Sequence, residues 1–564
     1  MPPSAARTAP GTTARANGAA PLRHGGMTDL GGAGAPGIVP DRAAAWSRLA
    51  EPWDVLVIGG GITGASLHAE ATRRGLRSLL LEGRDFASGA SGHSGQLVHG
   101  GMRYLSQGRV AMTRALLRER DRLLATHPGL IEPLSFVLPT YRDHPLDRVK
   151  YGVGVRLYDL LRGHRRSWRR LAADEVAERI PGVRAQQLDG GFLYGDAVTD
   201  DARLVLRQLR MAARGGGVAL NYARVAQVQR DRRGAVVGAE VVDGRTGASG
   251  AVRATVVVNA TGADADALRR PRATAARLRP IRGTHLVLPR QRFPLQSAIG
   301  YRHPATGRHQ YMLPWDEVVL VGTTDVDGGA ASDGAVRATA AEITHLVEGV
   351  QHCVPEASLA RDDVIAAYAG VRPVADQRGG DPSQASRHSV VWEEDGLLTV
   401  ISGKLTGFQS VIAEAMRRIA PRLGARAGTG AGPLGENAGV TDGHRDMTPP
   451  AGVTTEGWRR VVGRHGADAS AMLAAARPGE LDVVPGTRTL WVELRWGARA
   501  EGVEHLDDLL LRRTRIGMQR PPEVAADPRL EAICRAELGW DAARWAAELS
   551  RYQQLWTRDY SVSQ

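Results

Sequence analysis

The segment LVHGGMRYL, residues 97–105, combines side chains that bind anions with glycines that let a ligand approach. Its candidate ligand-contacting residues are His99, Gly100, Gly101, Arg103 and Tyr104. A guanidinium binds phosphate or carboxylate through paired hydrogen bonds, and glycine allows the backbone to come close to a bound group. These residue types suit a loop that binds an anion, although Arg103 also fits a surface arginine and His99 a residue that only positions the loop.

Three further residues have types suited to chemistry: Lys404 in SGKLTG, His285 in THLVLP and Arg372 in YAGVRP. The chain contains two lysines, Lys150 and Lys404, among many arginines, so the lysine at 404 indicates a need for a compact charge. A histidine accepts protons near neutral pH. From the pattern alone, His285 also fits a hydrogen-bonded strand histidine, and Arg372 also fits an ion-paired loop residue.

A glycine-rich turn follows the first apolar segment and has the spacing of a dinucleotide-binding fingerprint. Gly59, Gly61 and Gly64 lie between a predicted strand, DVLVIGG, and a predicted helix, ITGASLHAEATRR. Glu82 ends the next predicted strand, LRSLLLE, where it could accept hydrogen bonds from a ribose. Such a unit binds a pyrophosphate at the helix N-terminus. The alternative is a βαβ unit with only a packing role.

Two later strand ends open into glycine turns that could contact the same cofactor, VVVNATG (256–262) and ISGKLTG (401–407). The candidate contacts there are Ala260, Thr261, Gly262, Gly403, Lys404, Leu405 and Thr406. The fingerprint does not distinguish NAD from FAD. The absence of a second fingerprint and the late return of the αβ pattern favour FAD, because a long cofactor lies across several returning strands.

The elements that position these residues divide the chain into an α/β part and a helical part. Three short apolar runs within 281–325 predict an antiparallel sheet. The predicted divisions are a disordered leader (1–46), a FAD-binding domain (47–422) interleaved with a substrate domain (roughly 125–190 and 280–370), a linker (423–437) and a C-terminal helical domain (438–564).

Composition excludes several classes of function. The net charge is +13, but the arginines are scattered, aromatic residues make up 5%, and no nucleic-acid motif is present, so we expect no nucleic-acid partner. Cys353 and Cys534 stand far apart, which excludes a disulfide scaffold or a cysteine-built metal site and fits a reducing compartment. We predict no metal. No apolar run is long enough to span a membrane as a helix.

The order and spacing of the motifs resemble those of FAD-dependent, quinone-linked glycerol-3-phosphate dehydrogenases. The motifs are the fingerprint at 55–64, LVHGGMRYL, GDAVTDDARLVL (195–206), NATG, RGTHLVLP (282–289), MLPW, VGTTDVD (321–327), YAGVRP (368–373) and SGKLTG. The segment LDDLLLRRTRIG (506–517) is similar to part of that family's C-terminal helical domain. The resemblance extends over residues 53–564.

This resemblance implies a glutathione-reductase-like FAD-binding Rossmann domain, an antiparallel-sheet substrate domain and a C-terminal helical domain. It also implies oxidation of sn-glycerol 3-phosphate to dihydroxyacetone phosphate, by hydride transfer from C2 to FAD and then to quinone. Arg103 and Tyr104 would lie at the substrate, and Arg372 would bind its phosphate. His285 and Lys404 would face the reacting carbon, with His285 as the base and Lys404 stabilising negative charge, or the reverse. The expected protein is cytoplasmic, peripheral on the cytoplasmic membrane face, and able to form a homodimer.

Three segments depart from the family pattern. Gly95-Gln96 replaces Ser-Lys, Ala263-Asp264 replaces Pro-Trp, and Gly407-Phe408-Gln409 replaces Thr-Tyr-Arg. Gln96 and Gln409 each remove a positive charge that would help to hold FAD or substrate. These departures keep two alternatives open: a flavin oxidase or dehydrogenase acting on another hydroxy or amino substrate, and a catalytically weak paralogue. A basic, Trp-rich segment around Trp491, Trp496 and 512–515 is one candidate for membrane attachment, with a packed core as the alternative.

Overall fold

The computed structural model describes residues 37–39, 41–163, 167–269, 278–329, 335–375, 382, 388–424, 448–520 and 523–562. The strands are β1 (Pro52–Ile58), β2 (Ser78–Leu81), β3 (Leu97–Val98), β4 (Ile131–Tyr141), β5 (Arg169–Leu171), β6 (Leu188–Thr199), β7 (Val218–Leu220), β8 (Ala223–Arg230), β9 (Val236–Asp243), β10 (Ser249–Asn259), β11 (Arg279–Pro289), β12 (Ala298–Arg302), β13 (His309–Trp315), β14 (Val318–Gly322), β15 (Val326–Asp327), β16 (Ala366–Val374), β17 (Val390–Glu394) and β18 (Leu397–Ile401). The α-helices are α1 (Arg42–Ser47), α2 (Ile62–Arg73), α3 (Met102–Ser106), α4 (Val110–Thr126), α5 (Pro145–Arg162), α6 (Ala173–Arg179), α7 (Asp201–Arg214), α8 (Ala340–Cys353), α9 (Phe408–Leu423), α10 (Thr455–His465), α11 (Ala469–Ala474), α12 (Trp491–Ala500), α13 (Ile516–Gln519), α14 (Pro528–Leu538) and α15 (Ala542–Asp559).

The first sheet is the predicted Rossmann sheet, with the order β17-β18-β10-β1-β2-β7. Strands β18, β10, β1, β2 and β7 run parallel, and β1 is buried from its second residue onward, as expected for a strand covered on both faces. Because the strands are parallel, the glycine turns that follow β1, β10 and β18 lie at one edge of the sheet. The predicted α/β fold is confirmed.

The second sheet contains the segment for which the sequence predicts an antiparallel sheet. The three apolar runs predicted within 281–325 form β11, β13 and β14, which pair antiparallel. Two long strands that the sequence did not reveal, β4 and β6, extend the same sheet and pair with each other over most of their length. Prolines within β4 and glycines within β6 interrupt the alternation that usually identifies a strand.

The N-terminal boundary differs from the expected leader. Residues 41–46, which the sequence placed in the leader, belong to the folded part because α1 spans Arg42–Ser47 and buries Ala45. Ile38 is also buried, and its backbone N–H donates to the carbonyl of Ala500. The expected linker at 423–437 lies outside the described residues from 425 onward.

The C-terminal helices are joined to the Rossmann domain by buried ion pairs. Arg512 and Arg513 both bind the carboxylate of Asp85, which lies just beyond β2, and all three side chains are buried. Arg515 binds Asp201 at the start of α7. The segment proposed for membrane attachment is therefore interior: Trp491 and Trp496 are buried as well. No helix in the described part of the chain is both long and apolar enough to cross a bilayer.

Asp85→Asn is expected to destabilise the protein by about 3–5 kcal/mol, because two guanidiniums would lose their buried counter-charge. Urea unfolding of the holoenzyme measures the effect, and Glu51→Gln, in the exposed pair Arg48–Glu51, is the control, with a change within about 0.5 kcal/mol. Burial raises the pKa of Asp85, but the two arginines more than offset it, so the net pKa is lowered. The stabilisation is thus present at neutral pH and lost as the pH falls below the ordinary aspartate range. Equal losses of unfolding free energy in Asp85→Asn and Glu51→Gln would contradict the stabilising role of the buried Asp85 ion pairs.

Candidate active site

A cavity of about 1570 Å³ lies between the two sheets. It exceeds the roughly 300–1,000 Å³ of pockets for drug-sized ligands. Most of the candidate residues line it: Gly59, Gly61, Glu82, His99, Arg103, Tyr104, Ala260, Thr261, Gly262, Arg372, Gly403, Lys404, Leu405 and Thr406. The structure thus brings together residues that are more than 300 positions apart in the sequence. Within the described residues, no group of His, Cys, Asp and Glu side chains is arranged to hold a metal ion.

The nucleotide end of the cavity is built by the glycine turn between β1 and α2. Gly59 has a φ of +112°, and a Cβ at Gly64 would lie 1.9 Å from the carbonyl oxygen of Gly59, so both positions require glycine. The carboxylate of Glu82 accepts hydrogen bonds from the backbone N–H groups of Gly60 (2.6 Å) and Arg84 (2.8 Å). A bare backbone turn, a helix N-terminus and an acidic residue are the donor and acceptor set that a dinucleotide requires. These residues fit FAD.

The loop 97–101 and the turn 403–406 meet directly. The backbone N–H of His99 donates to Thr406 Oγ1 (2.9 Å), and the Thr406 hydroxyl donates to the carbonyl of His99 (3.1 Å). Gly101 has a φ of +79°, and a Cβ there would lie 2.2 Å from Cδ2 of Tyr104 and 3.0 Å from Lys404 Nζ. Glycine at 101 therefore leaves room for the Tyr104 ring and the Lys404 ammonium group.

Lys404 is held against an aromatic ring. Its Nζ lies 3.7 Å from the centroid of the Tyr104 ring, which is a cation–π contact. Tyr104 is buried and both residues line the cavity. The ring holds the ammonium group at the wall of the cavity.

Two arginines that line the cavity share one carboxylate. Arg103 Nη1 donates to Asp325 (2.9 Å), and Arg372 Nη1 donates to the other oxygen of Asp325 (2.5 Å). Arg372 Nη2 also donates to Thr323 Oγ1 (3.0 Å), and Arg103 Nη2 is buried with no hydrogen bond to any described residue. The buried Asp325 therefore holds two guanidiniums in one place with a net positive charge. This arrangement suits a dianion.

His285 lies behind the wall of the cavity rather than on it. It is 1% exposed, its ring stacks on Tyr368 with centroids 5.0 Å apart, and Tyr311 lines the cavity in front of it. The hydroxyl of Tyr311 lies 3.1 Å from His285 Nε2. Burial lowers the pKa of His285 to about 3, and the charge of Arg372 adds to this effect, so the imidazole is neutral at pH 7. Sequence reasoning missed Tyr311, which carries no motif of its own.

The two glutamines that depart from the family pattern are buried outside the cavity lining. Gln96 is fully buried, and its side-chain oxygen accepts a hydrogen bond from the backbone N–H of Asp201 (3.0 Å) at the start of α7. Gln409 is also buried, in the first turn of α9. Neither lines the cavity. Asp264 does line it and lies 3.5 Å from Arg84.

Two family models match this chain. A model described as FAD dependent oxidoreductase matches residues 54–416, and one described as the C-terminal domain of alpha-glycerophosphate oxidase matches residues 411–545. Aerobic glycerol-3-phosphate dehydrogenases of Staphylococcus aureus and Staphylococcus epidermidis are 29% and 30% identical over 484 residues. Each alignment covers 82% of this chain, and 87% and 86% of the respective relative.

Solved structures similar to this chain point to the same family as the models and relatives above. The glycerol-3-phosphate dehydrogenase of Bacillus halodurans, solved with FAD, aligns with a TM-score of 0.70 and 25% identity, covering 93% of this chain and 98% of its own. The L-alpha-glycerophosphate oxidase of Mycoplasma pneumoniae shares the fold, with a TM-score of 0.52 at 19% identity over 65% of this chain and 94% of its own. A matched family model over most of the chain and a relative at 30% identity lead to one conclusion. The chain belongs to the FAD-dependent oxidoreductases, in the family of the FAD-dependent glycerol-3-phosphate dehydrogenases.

Proposed function

We propose that this enzyme oxidises sn-glycerol 3-phosphate to dihydroxyacetone phosphate with FAD. The observation that carries the proposal is the pair of arginines, Arg103 and Arg372, gathered on Asp325 at the cavity wall. A phosphate dianion is bound best by paired guanidiniums. The relatives named glycerol-3-phosphate dehydrogenases support the same substrate.

Different residues around the cavity bind the substrate and assist the reaction. Arg103 and Arg372 bind the phosphate and thereby fix the distance of C2 from the cofactor edge. Lys404, held by Tyr104, places a positive charge near the negative charge that develops as the hydroxyl proton leaves. His285, neutral at pH 7, is the candidate proton acceptor. FAD, when bound, supplies the acceptor for the hydride from C2.

The test is anaerobic reduction of the bound flavin. The purified holoenzyme should show an oxidised-flavin spectrum that bleaches when sn-glycerol 3-phosphate is added. Glycerol, which lacks the phosphate, serves as the control and should leave the spectrum unchanged at the same concentration. A flavin that glycerol 3-phosphate does not bleach would contradict the proposed substrate, and a protein that binds no FAD on reconstitution would contradict the proposed site.

We propose further that electrons pass to a membrane quinone and that α5 is the membrane-contacting surface. Leu146, Val149, Val153 and Leu160 repeat along one face of α5 and are 80%, 65%, 57% and 74% exposed. Exposed Lys150 and Arg156 flank this face. An apolar stripe beside basic side chains is the pattern of a helix that lies in an anionic membrane surface. Val149 and Val153 also line the cavity, so the cavity reaches this face.

The variant Leu146→Glu/Leu160→Glu should bind vesicles containing anionic phospholipid at least ~100-fold more weakly, because two leucines worth about 1.5–3 kcal/mol each no longer enter the lipid. Flavin reduction by glycerol 3-phosphate should not change, since neither residue lines the cavity. Val237→Glu, at an exposed valine of β9, is the control. If the α5 variant bound vesicles as tightly as the parent, α5 would not be the membrane-contacting surface. If O₂ reoxidised the reduced flavin faster than a soluble quinone does, the proposal that quinone is the electron acceptor would be contradicted.

A further inference from the structure

We propose that Tyr311 is a catalytic residue that takes the substrate's hydroxyl proton and passes its own proton to His285. The proposal rests on the proposed function and assigns the proton path within the same site. Tyr311 lines the cavity, whereas His285 lies behind it and is reached through the Tyr311 hydroxyl at 3.1 Å. A base that is 1% exposed needs such an intermediary to act on a substrate in the cavity.

The contact between the two side chains follows from the strand register. His285 on β11 and Tyr311 on β13 are both paired with Gly322 of β14, the strand between them. Neighbouring strands are separated by roughly 4.8 Å, so the two side chains rise from positions two strands apart on one face. Because Gly322 has no side chain, the imidazole and the phenol meet above it.

Two glycines keep the space around the hydroxyl clear. A Cβ at Gly322 would lie 2.4 Å from Cδ2 of His285 and 2.9 Å from the Tyr311 oxygen. From the opposite side, a Cβ at Gly95 would lie 1.9 Å from the same oxygen and 3.2 Å from His285 Nε2. Gly95 is one of the positions where the sequence departs from the family pattern, and its missing side chain is the space that the Tyr311 hydroxyl fills. The departure at Gly95 therefore makes room for the Tyr311 hydroxyl.

The proton transfer is balanced within these groups. The C2 hydroxyl gives its proton to the Tyr311 oxygen, and the Tyr311 proton moves to Nε2 of His285. This transfer requires the tautomer of the neutral imidazole that carries its own proton on Nδ1. The hydrogen on C2 leaves as the hydride that the proposed function assigns to FAD, so the alcohol loses two electrons and becomes a ketone. The imidazolium returns its proton to solvent through Tyr311. After burial, the groups that act on the pKa of His285 are Arg372, His93 and Asp325.

The test compares Tyr311→Phe with the parent holoenzyme by stopped-flow reduction with glycerol 3-phosphate. We expect FAD content and the half-saturating substrate concentration to stay close to the parent, and the limiting reduction rate to fall about 100-fold or more. Between pH 7 and 9 the parent rate should be nearly constant. The rate of Tyr311→Phe should rise about tenfold per pH unit, because the hydroxyl must then lose its proton to hydroxide. Tyr301→Phe, at a buried tyrosine of β12 outside the cavity, is the control.

Thermal unfolding supplies a readout that does not depend on turnover. Gly95→Ala should lower the Tm by forcing the Tyr311 hydroxyl away, and adding Tyr311→Phe should raise the Tm again because the clashing oxygen is gone. If the changes in Tm caused by Gly95→Ala and Tyr311→Phe were simply additive, the proposed packing of the Tyr311 hydroxyl against Gly95 would be wrong. Reduction of Tyr311→Phe at the parent rate would overturn the proton path alone, whereas a parent enzyme that glycerol 3-phosphate does not reduce would overturn the proposed function with it.

Discussion

Arg372→Ala should lower kcat/KM for sn-glycerol 3-phosphate by about 10²–10⁴-fold, mainly through a higher KM. Arg372 lines the cavity and is held there by hydrogen bonds to Asp325 and Thr323. A guanidinium has five N–H donors, so these two bonds leave it able to donate to a phosphate as well. Hydrogen bonds to charged groups contribute about 1.5–3 kcal/mol each, and a phosphate bound by two such bonds from Arg372 would lose them. Arg372→Lys should recover only part of the loss, because an ammonium group cannot make the two parallel hydrogen bonds.

The control for this substitution is Arg282→Ala on the neighbouring strand β11. Arg282 forms an ion pair with Glu342 and does not line the cavity. This variant is expected to keep the parent kcat/KM. Steady-state kinetics with glycerol 3-phosphate and with glycerol separate the two roles, because loss of a phosphate contact lowers the preference for the phosphorylated substrate. If Arg372→Ala kept that preference, the phosphate would have to bind elsewhere in the cavity.

Lys404→Ala should slow flavin reduction by about 10²–10⁴-fold while the protein still binds FAD. The ammonium group lies 3.7 Å from the Tyr104 ring centroid and is fixed in place before the substrate arrives. Removal of one preorganised charge donor at a reacting centre typically slows the step by roughly 10²–10³-fold, and a part in proton transfer would add to this. Dithionite should still bleach the bound flavin, which shows that the cofactor itself is competent.

Two further variants test which properties of the Lys404 site the reaction needs. Lys404→Arg keeps the charge but spreads it over a larger planar group, so we expect partial activity. Tyr104→Leu removes the ring and not the lysine, and should slow reduction by about tenfold, in line with the 0.5–2 kcal/mol of a cation–π contact. Reduction of Lys404→Ala at the parent rate would exclude Lys404 from the chemistry.

The parts of the fold with strong local patterns could be predicted from the sequence. The buried run of β1, the glycine turn and Glu82 lie next to each other in the chain, so their pattern predicted both the unit and its ligand class. The loop 97–105 was found for the same reason. Arg103 and Arg372, 269 positions apart, could be placed together only through the family resemblance, and the structure joins them through Asp325.

Features that depend on strand register or on unusual burial could not be predicted. Tyr311 reaches His285 only because both are paired with Gly322, and no spacing in the sequence encodes that pairing. Arg512 and Arg513 have the composition of a basic surface, yet they are buried against Asp85. Arginine is usually exposed unless it is paired, and the partner lies more than 400 residues away in the sequence.

The contact of Arg512 with Asp85 has a thermodynamic consequence, because Arg512 also lines the cavity. A ligand that fills the cavity touches both the Rossmann domain and the segment that attaches the C-terminal helices to it. Binding to the assembled form alone stabilises that form by mass action. Saturation with FAD is therefore expected to protect the C-terminal helices from proteolysis, and weakened attachment at Asp85 should appear as a weaker affinity for the cofactor.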